Sequence, residues 1–459
     1  MNTKPARGMR DFLPADVRRR EYVIGVIAGV YQRYGFEPLE TPAVENLDAL
    51  MGKYGEEGDR LIFRILKRGE EGKTGQADLA LRYDLTVPLA RVVAEYRADL
   101  PKFFKRYQVQ PVWRADRPQK GRFREFYQCD VDAIGSSSMV VESELLGAAA
   151  DVLTGLGFSN FIIRLNHRQL LAGLLDSVGV PTASQGDALV ALDKLDKIGR
   201  DGVARELETR GIPETGANTL LELFTAVAQA AATAHENPAG FNTEVLARLS
   251  ALVERHTIGT RAIRDLRDIV SLSASRPGGD RLRVDPSLAR GLSYYTGSIF
   301  EVAVPDLAGS LAGGGRYDEL IGMFLGESVP ACGISLGLER ILVVMTERNM
   351  FPESVVVSAA DVMVTVWSAD KAQDSIRLAG ELRAAGLRAD VYPDADRIGK
   401  QFKYADSRQI RFVTVVGDDE AARNEVAVKN LATGTQVVMP RALVAEFVKT
   451  HSSGADRGL

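Results

Sequence analysis

The stretch KRYQVQPVWRADRPQKGRFREFYQCDVDAI, residues 105–134, decides how the rest of the chain is read. Two alternating runs, KRYQVQPVWRA and REFYQCDVDAI, flank the charged loop DRPQKGRF, which predicts two long antiparallel strands joined as a hairpin. Between Pro101 and Phe126, the bases Lys102, Lys105, Arg106, Arg114, Arg117, Lys120, Arg122 and Arg124 face two acids, Asp116 and Glu125. A bare run of charge ordinarily solvates a strand edge. Two features point further. Aromatic residues interleave the bases, and the two-residue period of a strand puts Gln128, Asp130 and Asp132 on one face of the return strand, opposite Tyr127, Cys129, Val131 and Ala133. Arg114 is placed to project toward the same side from the partner strand. A sheet face of arginine, glutamine and carboxylates is expensive unless it holds a polar ligand.

Outward from the hairpin, composition sets the frame. A chain of 459 residues, 45% hydrophobic, is too long for one core and predicts roughly two to four domains. Its net charge of −4 argues against a protein that coats nucleic acid generally, so any polyanion site is local. Cys129 and Cys332 have no CxxC spacing, which argues against a disulfide framework or zinc cluster and fits a reducing cytoplasm. The N-terminus MNTKPARGMRDFLPADVRRR has no apolar core of a leader, and no apolar run approaches the roughly 18 residues of a membrane span. A cytosolic chain without a membrane anchor is expected.

Apolar spacing predicts a helix from Val17 to Gly35, followed by the extended segment FEPLETPAVE, whose Pro38 and Pro42 suit a sheet edge or an interface. SSSMVVESELLGAAADVLTGLGF reads as a helix with a serine cap cluster and a glycine stop, and FIIRLN as a strand. From about Gln169 to Ser275 leucine- and alanine-rich helical periods predict a helical insertion. Strand-like patterning resumes with RLRVDPSLARGLSYYTGSIFEVAV. After NMFPESVV, the alternation of DVMVTVW, DSIRLAGELRAAG, LRADVY, GKQFKYADSRQ, RFVTVVG and a closing helix predicts a separate α/β domain.

Other polar residues are ambiguous in isolation. Asp84 and Thr86 in LRYDLTVP read as a turn or helix cap. GGGRY, residues 313–317, lets the backbone pass close either to a ligand or to another strand. Arg340 begins an apolar helix, where a lone arginine usually pairs with an acid. Arg290 stands in LARGLSYYTGSIFEV among mostly apolar and aromatic residues. With four histidines, at 167, 235, 256 and 451, no Ser/His/Asp or Cys/His arrangement is supported.

RGMRDFLP, ETPAVE, the hairpin, LARGLSYYTGSIFEV, GGGRYDEL and GISLGLERI, in that order from about Lys4 to Phe447, resemble the histidyl-tRNA synthetase family of class II aminoacyl-tRNA synthetases. The resemblance implies an α+β fold: an antiparallel sheet flanked by helices (1–168 and 276–350), a helical insertion domain (169–275) and a C-terminal α/β anticodon-binding domain (358–459). It implies activation of L-histidine by ATP with Mg2+, transfer to the 3′ end of its tRNA, and a homodimer joined through the early Pro-bearing strand. Arg114 would hold the α-phosphate and Arg340 the γ-phosphate. Arg290 would lie beside the substrate carboxylate and the α-phosphate. Asp84, Thr86 and Gln128 would take the α-amino end, Asp132 and Tyr295 the imidazole, with Tyr317 lining the pocket. Arg117 and Gln119 would approach the acceptor end of tRNA, and Arg397, Lys400 and Lys403, beside Phe402 and Tyr404, its anticodon side. One departure stands out: the family commonly has aspartate where this chain has Ser293. Regular strand alternation would separate Arg290 from Tyr295, so a shared pocket requires an irregularity near Gly291. The rival reading is a non-catalytic, synthetase-like paralogue that senses histidine or tRNA as a regulatory subunit. That class usually lacks the terminal domain and the catalytic arginines.

Overall fold

The computed structural model describes residues 3–119, 121–192, 194–231, 234, 236–276, 278–289, 294–305, 307, 309–352, 355 and 360–452. The first unit spans Met1–Met350 and the second Phe351–Leu459. In chain order the strands of the first unit are β1 (Glu37–Pro38), β2 (Val44–Asn46), β3 (Arg64–Leu66), β4 (Ala77–Leu81), β5 (Phe104–Trp113) and β6 (Glu125–Ile134), then β7 (Ile162–His167), β8 (Leu282–Val284), β9 (Ser298–Ala303), β10 (Ala312–Arg316) and β11 (Ala331–Gly337).

The predicted hairpin forms as β5 and β6, ten residues each, and it lies inside an eight-stranded sheet of order β1-β5-β6-β11-β10-β9-β7-β8. Pairing is antiparallel except at the two ends, where β1 runs parallel to β5 and β8 parallel to β7. Pro38 sits in the edge strand β1, where its missing N–H interrupts no ladder. A second, three-stranded sheet, β2-β4-β3, sits beside the entry to the helix Thr86–Glu95.

The helix predicted from Val17 occupies Pro14–Arg33 and ends where Gly35 turns with φ 76°. The expected serine cap is corrected: the helix Val140–Gly155 has Met139 at its N-cap with no side-chain cap bond, and Ser138 Oγ, one residue earlier, accepts from the Val140 N–H at 3.3 Å. Between β7 and β8 lie the helices Arg168–Ser177, Thr182–Leu192, Leu195–Thr209, Glu214–Ala231, Pro238–Leu252 and Thr257–Ser273. They are tied to the sheet at its edge. Asn242, buried on Pro238–Leu252, donates to Leu282 O and accepts from the Val284 N–H, both at 2.9 Å, so it satisfies β8 where no further strand does.

The long strand-like reading of RLRVDPSLARGLSYYTGSIFEVAV is corrected: among its described residues only β8 and β9 are strands, and residues 285–289 and 294–297 are not. Asp285 folds the chain back by accepting from both the N–H and the hydroxyl of Ser287 at 2.9 and 2.6 Å, and Asn166 donates to the carbonyls of Pro286 and Leu288. Side-chain bonds of this kind compete with a strand ladder.

The second unit carries a five-stranded sheet of β12 (Val362–Val364), β13 (Ala389–Val391), β14 (Phe412–Val415), β15 (Glu425–Asn430) and β16 (Gln436–Pro440), in the order β13-β12-β14-β15-β16. The first three are parallel, with the helices Ala372–Ala384 and Ile398–Ser407 between them in sequence. Sequence reading passed directly from β14 to the closing helix Val444–Ser452 and missed the antiparallel hairpin β15–β16. Each run is short, and the turn that pairs them, with Gly434 at φ 75°, is the stronger signal.

Candidate functional site

The floor of the candidate site is the polar face of β6. Hairpin register sets Arg106 of β5 opposite Asp132, and Gln108 opposite Asp130. On the other side of β6, Gly333 and Ser335 of β11 stand opposite the same two carboxylates. Arg106 is wholly buried and approaches Asp132 Oδ2 at 2.9 Å in an ion pair, while its Nη1 donates to Gln108 Oε1 at 3.0 Å and its Nη2 to Leu85 O at 3.3 Å. The Tyr317 hydroxyl donates to Asp132 Oδ1. Only glycine fits opposite: a Cβ on Gly333 would lie 1.8 Å from Asp132 Oδ1.

One wall comes from the turn that opens the helix Thr86–Glu95. Asp84, 1% exposed, accepts from the Val87 N–H and the Tyr54 hydroxyl, each at 3.0 Å, and Tyr294 O–H lies 3.5 Å from its other oxygen. The helix-cap reading of Asp84 is therefore correct locally, and the same carboxylate also joins the site. Thr86 hydrogen-bonds the Tyr294 phenol. Gln128 bridges floor and wall: its Oε1 accepts from the Leu85 N–H at 3.2 Å and its Nε2 donates to Ser335 Oγ at 3.1 Å.

Aromatic rings close another side. Tyr294 stands edge-on to Tyr295 and Tyr317, with centroids 5.0 and 6.1 Å apart. The glycines of GGGRY make this packing close. A Cβ on Gly315 would meet Tyr295 Cδ1 at 2.9 Å, and one on Gly314 would meet Gly333 O at 2.0 Å, so neighbouring strands and a site tyrosine occupy the space they leave.

Burial pushes the Asp84 and Asp132 carboxyls above the ordinary range, and it pushes Asp130 up to about 7. Burial also raises Tyr54, Tyr294 and Tyr317 well above the ordinary phenol value, which keeps them protonated donors toward these carboxylates.

Arg114 lies just beyond β5, its Nε donating to Tyr83 O at 3.0 Å and its guanidinium stacked over Tyr83 and Phe126 at 4.3 and 5.1 Å. The stack and the one bond fix the plane of the group. Arg340, in the first turn of Leu338–Glu347, donates from Nη1 to Ser310 O at 2.6 Å. Arg290 and Ser293 lie outside the described residues, so their expected roles carry no geometry here.

In the β5–β6 loop, Arg117 and Gln119 are exposed. Gln119 exchanges two backbone bonds with Arg122, at 3.1 and 2.9 Å, and Arg122 pairs with Asp116 at 2.8 Å. In the second unit Arg397 is the N-cap of Ile398–Ser407, and Lys400 and Lys403 are exposed, Lys400 pairing with Asp396 at 2.7 Å. Phe402 and Tyr404 are partly buried against Met363, Tyr392, Ala405, Ile410 and Val413. They serve this core rather than stand beside the bases as an open stacking surface.

The structure thus brings Asp84, Thr86, Gln128, Asp132, Tyr295 and Tyr317 to one region of the first unit. Sequence reading left out Arg106, Tyr54, Tyr294 and Ser335, and gave Asp130 no role. Arg106 was legible: a hairpin turning at Gln119 sets it opposite Asp132. Tyr54 and Ser335 arrive from other elements and carry no local signal.

A family model described as histidyl-tRNA synthetase matches residues 8–341, and one described as an anticodon binding domain matches residues 361–451. A histidine–tRNA ligase of Flavobacterium johnsoniae is 41% identical over 479 aligned residues, covering 95% of this chain and 97% of the relative. One of Cytophaga hutchinsonii is 40% identical over 447 residues, covering 94% and 96%. The crystal structure of histidyl-tRNA synthetase from Nostoc sp. PCC 7120 superposes with a TM-score of 0.81 at 30% identity, covering 98% of this chain and all of that one.

Proposed function

This chain belongs to the histidyl-tRNA synthetase family, and from that premise we infer that its site activates L-histidine with ATP and transfers it to the 3′ end of the cognate tRNA. The carboxylate of histidine attacks the α-phosphorus, pyrophosphate leaves, and negative charge gathers on the phosphoryl oxygens. Such a reaction needs aligned substrates and fixed cations rather than a protein nucleophile. Arg114, held flat between two rings, suits the α-phosphate, and Arg340 the γ-phosphate; Arg290 is assigned to the substrate carboxylate and the developing charge. Magnesium bound with ATP would supply positive charge that neutralises part of the phosphate charge. Among the described residues no cluster of three or more acidic, histidine or cysteine side chains forms a cage for it.

The observation that carries the amino-acid reading is Asp132, one oxygen paired with Arg106 and the other accepting from Tyr317, whose ring packs edge-on against Tyr294 beside Tyr295. A fixed carboxylate beside tyrosines reads an imidazole, which presents N–H groups at two edges. Asp84, Thr86 and Gln128 take the α-ammonium. Tyr317 is better assigned to fixing Asp132 than to lining alone. The helices from Arg168 to Ser273 form the insertion between two parts of the catalytic domain, and Arg117, Gln119, Arg397, Lys400 and Lys403 approach tRNA. The active form proposed is a cytoplasmic homodimer joined near β1. No described helix is long and apolar enough to cross a membrane.

Histidine-dependent exchange of pyrophosphate into ATP tests the activity. Asp132→Asn, which keeps size and removes charge, is expected to weaken histidine binding at least tenfold and leave ATP binding within twofold, roughly the effect of losing one charged partner. Equal affinity for histidine in the variant and the parent would place the imidazole elsewhere.

A further inference from the structure

Asp130 is 2% exposed, shares its strand face with Asp132, and has no assigned role. Among the described residues its Oδ1 has no hydrogen-bond partner, and neither does Nε of Arg106, also buried. A buried carboxylate oxygen left in that state is costly, and its persistence beside a ligand pocket calls for a reason.

The charges around it do not balance in the free protein. Arg106 and the neutral Gln108 face it from β5, Asp132 and Gln128 flank it on β6, and Ser335 bonds it from β11. Asp84 acts on it from the turn before Thr86, and Tyr31, on the helix Pro14–Arg33, feels it electrostatically. Tyr317 donates to Asp132 and stays neutral. Asp84, Asp130 and Asp132 therefore share one fully buried guanidinium among the described residues, with half-buried Arg114 acting on Asp84 from the rim.

We propose that Asp130 and Asp132 share one proton in the free enzyme, and that on binding this proton passes to the substrate imidazole, so that L-histidine is held as the imidazolium over two carboxylates. The transfer balances: a carboxyl O–H breaks, an imidazole N–H forms on the ring nitrogen's lone pair, and the pair gains one negative charge as the ring gains one positive charge. Three carboxylates and one guanidinium then meet the two positive charges of the ammonium and the imidazolium, and the substrate carboxylate is left to the arginines of the phosphate side. Asp130 acts through Asp132 as a positioning and specificity-determining residue. Burial, which holds Asp130 near neutrality, agrees with such a shared proton. An uncharged ring of similar shape supplies no cation, so the pair discriminates by charge as well as by shape. The inference rests on the assignment of histidine to this pocket.

The test is calorimetric titration of the full-length chain with L-histidine in two buffers of different ionisation enthalpy, which counts protons taken up on binding. Near pH 7 the free pair holds the shared proton in about half of the molecules, so uptake is about half a proton. At pH 8.5 the free pair has lost it, and uptake should rise to about one proton per histidine. Asp130→Asn should bring uptake at pH 8.5 close to zero, because one carboxylate beside Arg106 no longer holds an imidazolium. Uptake near zero at pH 8.5 in the parent protein overturns the proposal, whether or not the variant folds. So does equal uptake in parent and variant. Failure of the pocket assignment reads differently: Asp132→Asn would then leave histidine affinity unchanged whatever the proton count.

Discussion

Single residues set the chemistry by what they exclude. Gly333 has no side chain because Asp132 occupies the space where a Cβ would stand, at 1.8 Å from Oδ1 and 2.5 Å from Cγ. Gly333→Ala must displace the carboxylate away from Arg106 and Tyr317, and a displacement near 1 Å is expected to lower kcat/KM for histidine by roughly a hundredfold. Pyrophosphate exchange measured against both substrates checks this: the loss should appear with histidine limiting, and ATP affinity should hold. Asp130 yields a stability prediction with a definite sign. Its folded-state value is raised above that of the unfolded chain, so its favourable contribution is complete below about pH 4 and is lost as pH rises through about 7. The ligand-free parent should therefore lose stability relative to Asp130→Asn between pH 5 and 8, by on the order of 2–4 kcal/mol at the upper end. Denaturant titrations across that range would show parallel curves if Asp130 were an ordinary ionised carboxylate.

Elements matter here through the places where they are pinned. β10 is anchored by Arg316, whose Nε and Nη2 meet both oxygens of Glu142 on Val140–Gly155 at 2.7 and 2.8 Å. Ser298, at the start of β9, donates to the same carboxylate at 2.9 Å. One buried ion pair thus fixes the helix, the glycine-bearing strand and the chain that delivers Tyr294 and Tyr295. Glu142→Gln leaves the buried Arg316 with only the partly exposed Asp318, at 3.2 Å, as counter-charge, at a cost of about 3 kcal/mol. Urea unfolding should register that loss, and histidine KM should rise with it because Tyr317 directly follows Arg316. A midpoint unchanged from the parent would mean that water or another acid takes over the guanidinium. The β5–β6 hairpin shows the same logic by register: one slipped residue would send Arg106, Gln108, Asp130 and Asp132 to the opposite face.

At the scale of the whole molecule, the two units divide two chemical steps. On the proposed reading, histidine and ATP would meet in the first unit, whereas charging would require tRNA to be held in register by contacts proposed for Arg397, Lys400 and Lys403. A chain ending near residue 357 is expected to keep histidine-dependent pyrophosphate exchange while losing most tRNA charging; a folded, dimeric truncation that charges tRNA at the parental rate would remove the second unit from tRNA binding. The hairpin, the edge position of Pro38, the helices flanking β6 and β7 and the helical run to Ser273 were legible in the sequence, since each follows from periodicity or turn chemistry within a few residues. So was the family, because its six segments stand in order along the chain. The roles of Tyr54, Tyr294 and Ser335 were not, nor was the break between β8 and β9, which depends on Asn166 reaching the carbonyls of Pro286 and Leu288. The sequence by itself determined which elements form and which residues face alike along a strand, because those are properties of local backbone geometry. Only the tertiary structure decided which side chains surround and bury the three carboxylates, because burial depends on residues that meet from 207 to 210 positions apart, as Gln128 meets Ser335 and Asp84 meets Tyr294.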